Sequence, residues 1–201
     1  CPLGAIPSLP REEQPGTGPI LFIGTLEARK NIDGLLDAYT LLLDRYENAP
    51  DLMLAGRPTP DAGKWASRLL VDPLRGHVQQ MGYVSPETRN VLLKQARLLV
   101  LPSFDEGFGL PILEAMSAGV PIVASNLGAV PEVLGDAGLL VDPTDPEALS
   151  NAMQKTLSDS EHVKTAVTRG LARAAHYSWQ RSARILRDTY ARAIENRRSN
   201  L

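Results

Sequence analysis

The chain has 201 residues, a formal net charge of −2, 43% hydrophobic residues and a single cysteine. That length suits one domain able to bury roughly 70% of its unfolded surface without a metal or disulfide staple. One cysteine excludes an internal disulfide framework, and the near-neutral charge argues against a dedicated nucleic-acid binder. No apolar run is long enough to span a bilayer and no secretory leader is legible, so a soluble, cytoplasmic domain is the expectation.

Residues 1–19 hold five prolines (Pro2, Pro7, Pro10, Pro15, Pro19) with Gly4, Gly16 and Gly18. Proline fixes its own φ and disfavours helix in the preceding residue, which predicts irregular, extended chain. A short apolar run ending in glycine, residues 20–24 (ILFIG), predicts a buried strand. Asn31 then caps a helix in which Ile32, Leu35, Leu36, Tyr39, Leu42 and Leu43 recur at helical spacing. Residues 51–56 (DLMLAG) form the second predicted strand, and a helix follows around Trp65, Leu69 and Leu70. A strand at 78–83, a helix opened by Pro86, and a strand at 98–101 (LLVL) come next. A helix at 110–118 and strands at 121–124 and 138–141 complete the alternation. From Pro146 onward the pattern is helical only. In the last helix Trp179, Ala183, Leu186, Tyr190 and Ile194 share a stripe, with Arg181, Arg184, Arg187 and Arg192 largely off it.

Apolar strands alternating with helices predict the α/β class: a Rossmann-like, doubly wound parallel sheet with extra C-terminal helices. Ligands of such sheets bind beyond the carboxyl ends of the strands. Two phosphate-loop look-alikes fail. Gly107 and Gly109 are followed by Ile112 where the dinucleotide fingerprint needs glycine, and Gly56 to Gly63-Lys64-Trp65 has neither the spacing nor the hydroxyl of a P-loop. His77, His162 and His176 are scattered and lack ligand spacing, so no metal site is expected.

Residues 102–119 follow a strand and enter a helix. Gly107 and Gly109 permit close backbone approach, and amides near Gly109 and Leu110 would favour an anion at the helix start. Glu106 precedes that helix and Glu114 lies about one turn into it, facing the same mouth. An acidic flank that merely complements the dipole is the plainer alternative. Arg29 and Lys30, between a strand and a helix start, oppose the local dipole, a cost that a bound diphosphate would offset. Amides, two cations and two carboxylates suit a sugar nucleotide.

Residues 106–114 (EGFGLPILE) match the Glu-x7-Glu signature of retaining GT-B glycosyltransferases, and the chain resembles the group 1 family (family 4). Residues 24–31, 54–56, 81–84, 118–121 and 128–132 fall in that family's order, as does Tyr177-Ser-Trp179 before a final helix. The resemblance runs from about Ile20 to Ile194. It implies a nucleotide-sugar donor domain over residues 20–201, the C-terminal half of a two-domain enzyme, with residues 1–19 the remnant of a linker from an absent N-terminal domain. Glu106, Lys30 and Arg29 carry the catalytic expectation. Arg29 and Lys30 would hold the diphosphate with the Gly107, Phe108, Gly109 and Leu110 segment; Glu106 would meet the transferred sugar and Glu114 the ribose. Gly82, Tyr83 and Val84 would flank the base through backbone groups. No metal and no resident cofactor are implied, and configuration is retained without Glu106 being assigned as a nucleophile.

One departure is Thr25, where many members carry arginine, so that diphosphate contact rests on Arg29 and Lys30. The donor expectation is GDP-mannose, because Gly-Thr-Leu-Glu-x-Arg-Lys-Asn resembles mannosyltransferases, with UDP-sugars open. The acceptor expectation is a glycan or glycolipid bound through the missing N-terminal domain, as in polysaccharide biosynthesis. Peripheral membrane association of the full enzyme is allowed, no nucleic-acid partner is expected, and the isolated chain should transfer little sugar. The competing readings are a non-catalytic nucleotide-binding or regulatory module on this fold, and sugar-nucleotide epimerisation on a related scaffold.

Overall fold

A computed structural model describes Leu3, Gly4, Arg11, Gln14, residues 16–60 and residues 63–199. Six strands alternate with helices: β1 (Ile20–Ile23), α1 (Ile32–Arg45), β2 (Leu52–Ala55), α2 (Gly63–Ala66), β3 (Val78–Gly82), α3 (Pro86–Gln95), β4 (Leu98–Leu101), α4 (Leu110–Ala118), β5 (Ile122–Ser125), α5 (Val130–Leu134) and β6 (Leu139–Val141). Three helices follow, α6 (Pro146–Ser158), α7 (Ser160–Ala174) and α8 (Trp179–Ser199).

The strands form one sheet in the order β3-β2-β1-β4-β5-β6, every pair parallel. This is the doubly wound, Rossmann-like arrangement expected from the alternation. β1, β4 and β5 are buried along their whole length, as a sheet covered on both faces requires. At the edge β3 (VQQMG) is partly exposed, which its glutamines make tolerable.

Helices flank the sheet. α1 buries Leu35, Leu36, Tyr39 and Leu42 and lies against α6, while α4 packs on α3, α5 and α7. Each fully buried leucine contributes about 1.5–3 kcal/mol by leaving water. The expected Asn31 cap is present, its side chain accepting from Gly34 N–H, and Pro86 opens α3 as expected, with Ser85 as its cap. One local expectation needs correction: the helix around Trp65 is a single α-turn continued as a 3-10 turn over Ser67–Leu70. Between β5 and β6 stands the short helix α5, to which the sequence reading assigns no element. Pro131 at its start and Gly135 at its end delimit α5, too short for a periodic signal.

Most of the expected linker over residues 1–19 lies outside the described residues. Of the described ones, Arg11 N–H donates to Ala118 O (3.3 Å), Gln14 Nε2 donates to Gly119 O (3.0 Å), and Gly4 lies against the Trp179 backbone. No helix among the described residues is long and apolar enough to cross a membrane.

Candidate functional site

The sheet order reverses between β1 and β4, because β2 and β3 lie on one side of β1 and the crossover through α3 returns the chain to the other. Loops leaving the carboxyl ends of two such strands diverge and leave a crevice. Here those loops carry Arg29 and Lys30 after β1, and Glu106 after β4.

The loop after β1 is shaped before its charges are placed. Gly56 at the end of β2 leaves no room for a side chain, since a Cβ there would lie 1.7 Å from Gly24 O. A 3-10 turn, Ala28–Lys30, ends at Asn31, which adopts the left-handed conformation (φ 55°) and donates its side-chain amide to Pro143 O (2.7 Å). Asparagine tolerates that region better than most residues. The turn buries the Lys30 side chain, 6% exposed, and leaves Arg29 45% exposed.

The loop after β4 is tied to it. Phe104 N–H donates to Arg29 O (2.8 Å), and Arg29 Nη1 donates to Asp105 O (3.0 Å). Lys30 Nζ donates to Glu106 Oε1 in a buried ion pair, and Ser103 Oγ donates to the same oxygen (3.1 Å). The other carboxylate oxygen, Oε2, faces Arg29 Nη1 at 3.9 Å, while Arg29 Nη2 pairs with Glu27 (2.7 Å). Gly128, at φ 62°, lets the loop after β5 pass close to the Glu106 backbone, where Ala129 N–H donates to Glu106 O (3.2 Å).

The basic pair stands in the turn before the Asn31 cap of α1, between strand end and helix start as expected, but carboxylates of this chain, Glu106 and Glu27, already offset its charge. Glu106 in turn is buried with Lys30 and Ser103 as partners, as burial of a carboxylate requires.

α4 begins after Gly109 in the left-handed conformation (φ 87°). Pro111 has no N–H and Ile112 N–H bonds Gly109 O (2.9 Å), so the amides of Gly109 and Leu110 are the ones directed out of the helix start without a partner among the described residues. Gly107 and Phe108 complete this segment, with the Phe108 ring edge-on to Tyr177 at 5.8 Å. Beside Phe108 lies a concavity of about 540 Å³ bounded by Glu132, Arg173, His176, Tyr177 and Ile185. Another, of about 420 Å³, lies between Glu27, Ala28, Asn31, Trp65 and Phe104.

Glu114, one turn into α4, is set apart from the Lys30–Glu106 pair. Its side chain is 14% exposed, and its Oε1 pairs with Arg89 Nη2 of α3 at 3.2 Å. Burial pushes the Glu114 carboxyl above the usual range, and the Arg89 charge opposes that shift. At the end of β3, Gly82 (φ 67°) accepts from Gly56 N–H (2.8 Å), Val84 packs on the core, and Tyr83 stands 65% exposed with the Arg57 guanidinium 4.9 Å from its ring centre.

The structure therefore brings Arg29 and Lys30 against Glu106, and the Glu106 loop continues through Gly107, Phe108 and Gly109 into Leu110 at the start of α4. Glu114, Gly82, Tyr83 and Val84 lie on neighbouring parts of the same end of the sheet. Two contributors escaped the sequence reading. Ser103 is buried against Glu106, three residues along the same loop, a signal the quoted segment contained. Arg89 gave none, because on its own helix it reads as one more surface arginine.

A doubly wound parallel sheet followed by α6, α7 and α8 is a Rossmann-like fold of the kind found in GT-B glycosyltransferases. The structure is similar to sucrose-phosphate synthase from Thermosynechococcus elongatus, with a TM-score of 0.83 and 27% identity over 98% of this chain and 52% of that one. It shares the fold of HepE from Anabaena, solved with UDP-glucose, with a TM-score of 0.74 and 22% identity over 86% of this chain and 49% of that one. The family model for glycosyl transferases group 1 matches residues 18–159, and the chain belongs to that family. It is 45% identical over 181 residues to O-antigen chain mannosyltransferase B of Escherichia coli, covering 89% of this chain and 47% of that protein. The chain spans about half the length of these relatives.

Proposed function

We propose that this chain is the donor-binding half of a retaining hexosyltransferase that moves a sugar from a nucleotide diphosphate sugar to a glycan or glycolipid acceptor. The observation that carries the reading is the buried Lys30–Glu106 pair beside the half-exposed Arg29, on a loop that leads into the start of α4, where the Gly109 and Leu110 amides have no partner among the described residues. Positive charge and amides suit a diphosphate, while a carboxylate fixed beside them suits sugar hydroxyls. In this reading Arg29, Lys30 and the Gly109 and Leu110 amides stabilise charge as it develops on the leaving diphosphate. Glu106 orients the transferred sugar, Glu114 accepts from the ribose, and Gly82, Tyr83 and Val84 border the base.

GDP-mannose is the favoured donor. The likeness to a mannosyltransferase at 45% identity supports the mannose, and UDP-sugars remain the competitor. Acceptor-side groups belong, in this proposal, to an N-terminal acceptor domain outside these 201 residues, with residues 1–19 as the connection. The enzyme would act on the cytoplasmic side, where nucleotide sugars are available.

Calorimetry with GDP, UDP and ADP on the wild type, Lys30→Ala and Glu114→Ala tests the site. Expected is binding of GDP by the wild type, weakened in both variants. No nucleotide binding, or binding by both variants as tight as by the wild type, overturns the site assignment. Robust sugar transfer by the 201-residue chain alone overturns the half-enzyme reading.

A further inference from the structure

The Arg89–Glu114 pair has features that packing alone does not explain. Arg89 lies in the first turn of α3, where its N–H bonds Ser85 O (2.8 Å) and where the helix dipole disfavours a cation. Both side chains are largely withdrawn from water, at 28% and 14% exposure. Their contact is nevertheless incomplete: Arg89 Nε and Glu114 Oε2 are buried and neither has a hydrogen-bond partner. A guanidinium meeting a carboxylate normally saturates both with parallel hydrogen bonds. Here a single Nη2–Oε1 approach leaves one carboxylate oxygen uncommitted, and unsatisfied buried groups of this kind are uncommon in folded proteins. Rotation about the terminal bond of glutamate is soft and moves both oxygens together, so a ligand can draw the free oxygen outward with a matching adjustment of the 3.2 Å Arg89 contact.

We propose that Arg89 is a positioning residue of the donor site, holding Glu114 ionised and oriented so that its uncommitted oxygen accepts hydrogen bonds from the vicinal hydroxyls of the donor's ribose. This rests on the donor-site reading and adds to it the residue that prepares Glu114. The need for such a residue follows from the surroundings of Glu114. α4 carries no other charged side chain, and from α3, α5, α7, β4 and β5, which pack on it, only Arg89 acts on the Glu114 charge against the cost of burial. Without Arg89 nothing would oppose the upward shift that burial imposes, and the protonated form, which donates where the ribose hydroxyls need an acceptor, would gain weight.

The test is calorimetric titration of the 201-residue chain with GDP and with 2′,3′-dideoxy-GDP, between pH 5.5 and 8, for wild type, Arg89→Gln, Arg89→Lys and Glu114→Gln. Expected is a loss of about tenfold in GDP affinity for Arg89→Gln at neutral pH, growing as the pH falls. With the dideoxy nucleotide Arg89→Gln and wild type should bind alike, and Arg89→Lys, which keeps the charge, should retain the wild-type pH profile. Arg89→Gln weakening both nucleotides equally, leaving GDP binding unchanged, or showing no added pH dependence overturns the proposal. Should Arg89→Gln not fold, a displaced pH profile in Arg89→Lys, or Glu114→Gln binding GDP as well as wild type, overturns it instead. If the wild type binds none of GDP, UDP and ADP, it is the donor-site reading that falls, and the assignment to Arg89 with it.

Discussion

Replacing Lys30 by methionine keeps most of the side-chain stem and removes only the ammonium group, which makes it a clean probe of the buried pair. Lys30 and Glu106 are 5% and 8% exposed, so the variant leaves the Glu106 carboxylate without its strongest partner and with little water to replace it. Breaking such a pair from one side costs about 3–5 kcal/mol. Two groups soften the loss, the Ser103 hydroxyl at 3.1 Å and Arg29 at 3.9 Å, which places the expected cost near the lower end, about 3 kcal/mol. For a domain of this size that lowers Tm by about 6–12 °C. The assay is urea unfolding of wild type, Lys30→Met and the double variant Lys30→Met/Glu106→Leu. Removing both charges eliminates the desolvated carboxylate, so the double variant should recover to within about 1 kcal/mol of wild type. A single variant as stable as wild type, or a double variant worse than the single, would refute the reasoning that the two charges hold each other in the interior.

Other expectations follow from the same geometry. Gly56→Ala places a Cβ 1.7 Å from Gly24 O, so the ends of β1 and β2 must separate, and chemical denaturation should show a loss of about 3 kcal/mol or more. Asn31→Ala removes the cap on Gly34 N–H and the hydrogen bond to Pro143 O while keeping a left-handed backbone, and should cost about 2–3 kcal/mol, with Asn31→Gly milder. The raised Glu114 carboxyl implies a definite sign with pH. Its stabilising contribution is fully present below the ordinary glutamate range and is lost as the pH rises through the raised folded value. Thermal melts at pH 7 and pH 5 should therefore show wild type gaining on Glu114→Gln at the lower pH, and parallel behaviour of the two would contradict the buried assignment.

How far the sequence could be read depended on whether a feature was local. The buried strands announced themselves as apolar runs, and Asn31 and Pro86 marked helix starts through chemistry that acts over three or four residues. Residues 106–114 were legible as a loop entering a helix because glycine, proline and acidic spacing are all local. The Lys30–Glu106 pair was not, since its members are 76 residues apart and meet only because β4 crosses over to lie beside β1. Without that pairing the charges of Arg29 and Lys30 needed an outside anion to balance them, whereas the fold supplies a carboxylate. Arg89 stayed hidden for the same reason: its partner is on α4. α5 was missed because five residues between Ala129 and Gly135 are too few to display a helical period.

α8 has a different kind of consequence, one of timescale. Its 21 residues leave Trp179, Leu186, Tyr190 and Ile194 between 44% and 62% exposed, and Ser182 is its one buried residue among those described. A helix that buries little draws most of its stability from its own hydrogen bonds rather than from packing, and such segments open locally at small free-energy cost. In the 201-residue chain, amide protons along the distal turns of α8 should exchange with solvent far sooner than those of β1 and β4, which exchange only when the whole sheet opens. Any surface that comes to lie along the exposed stripe would be recorded as a slowing of that exchange, with the sheet unaffected.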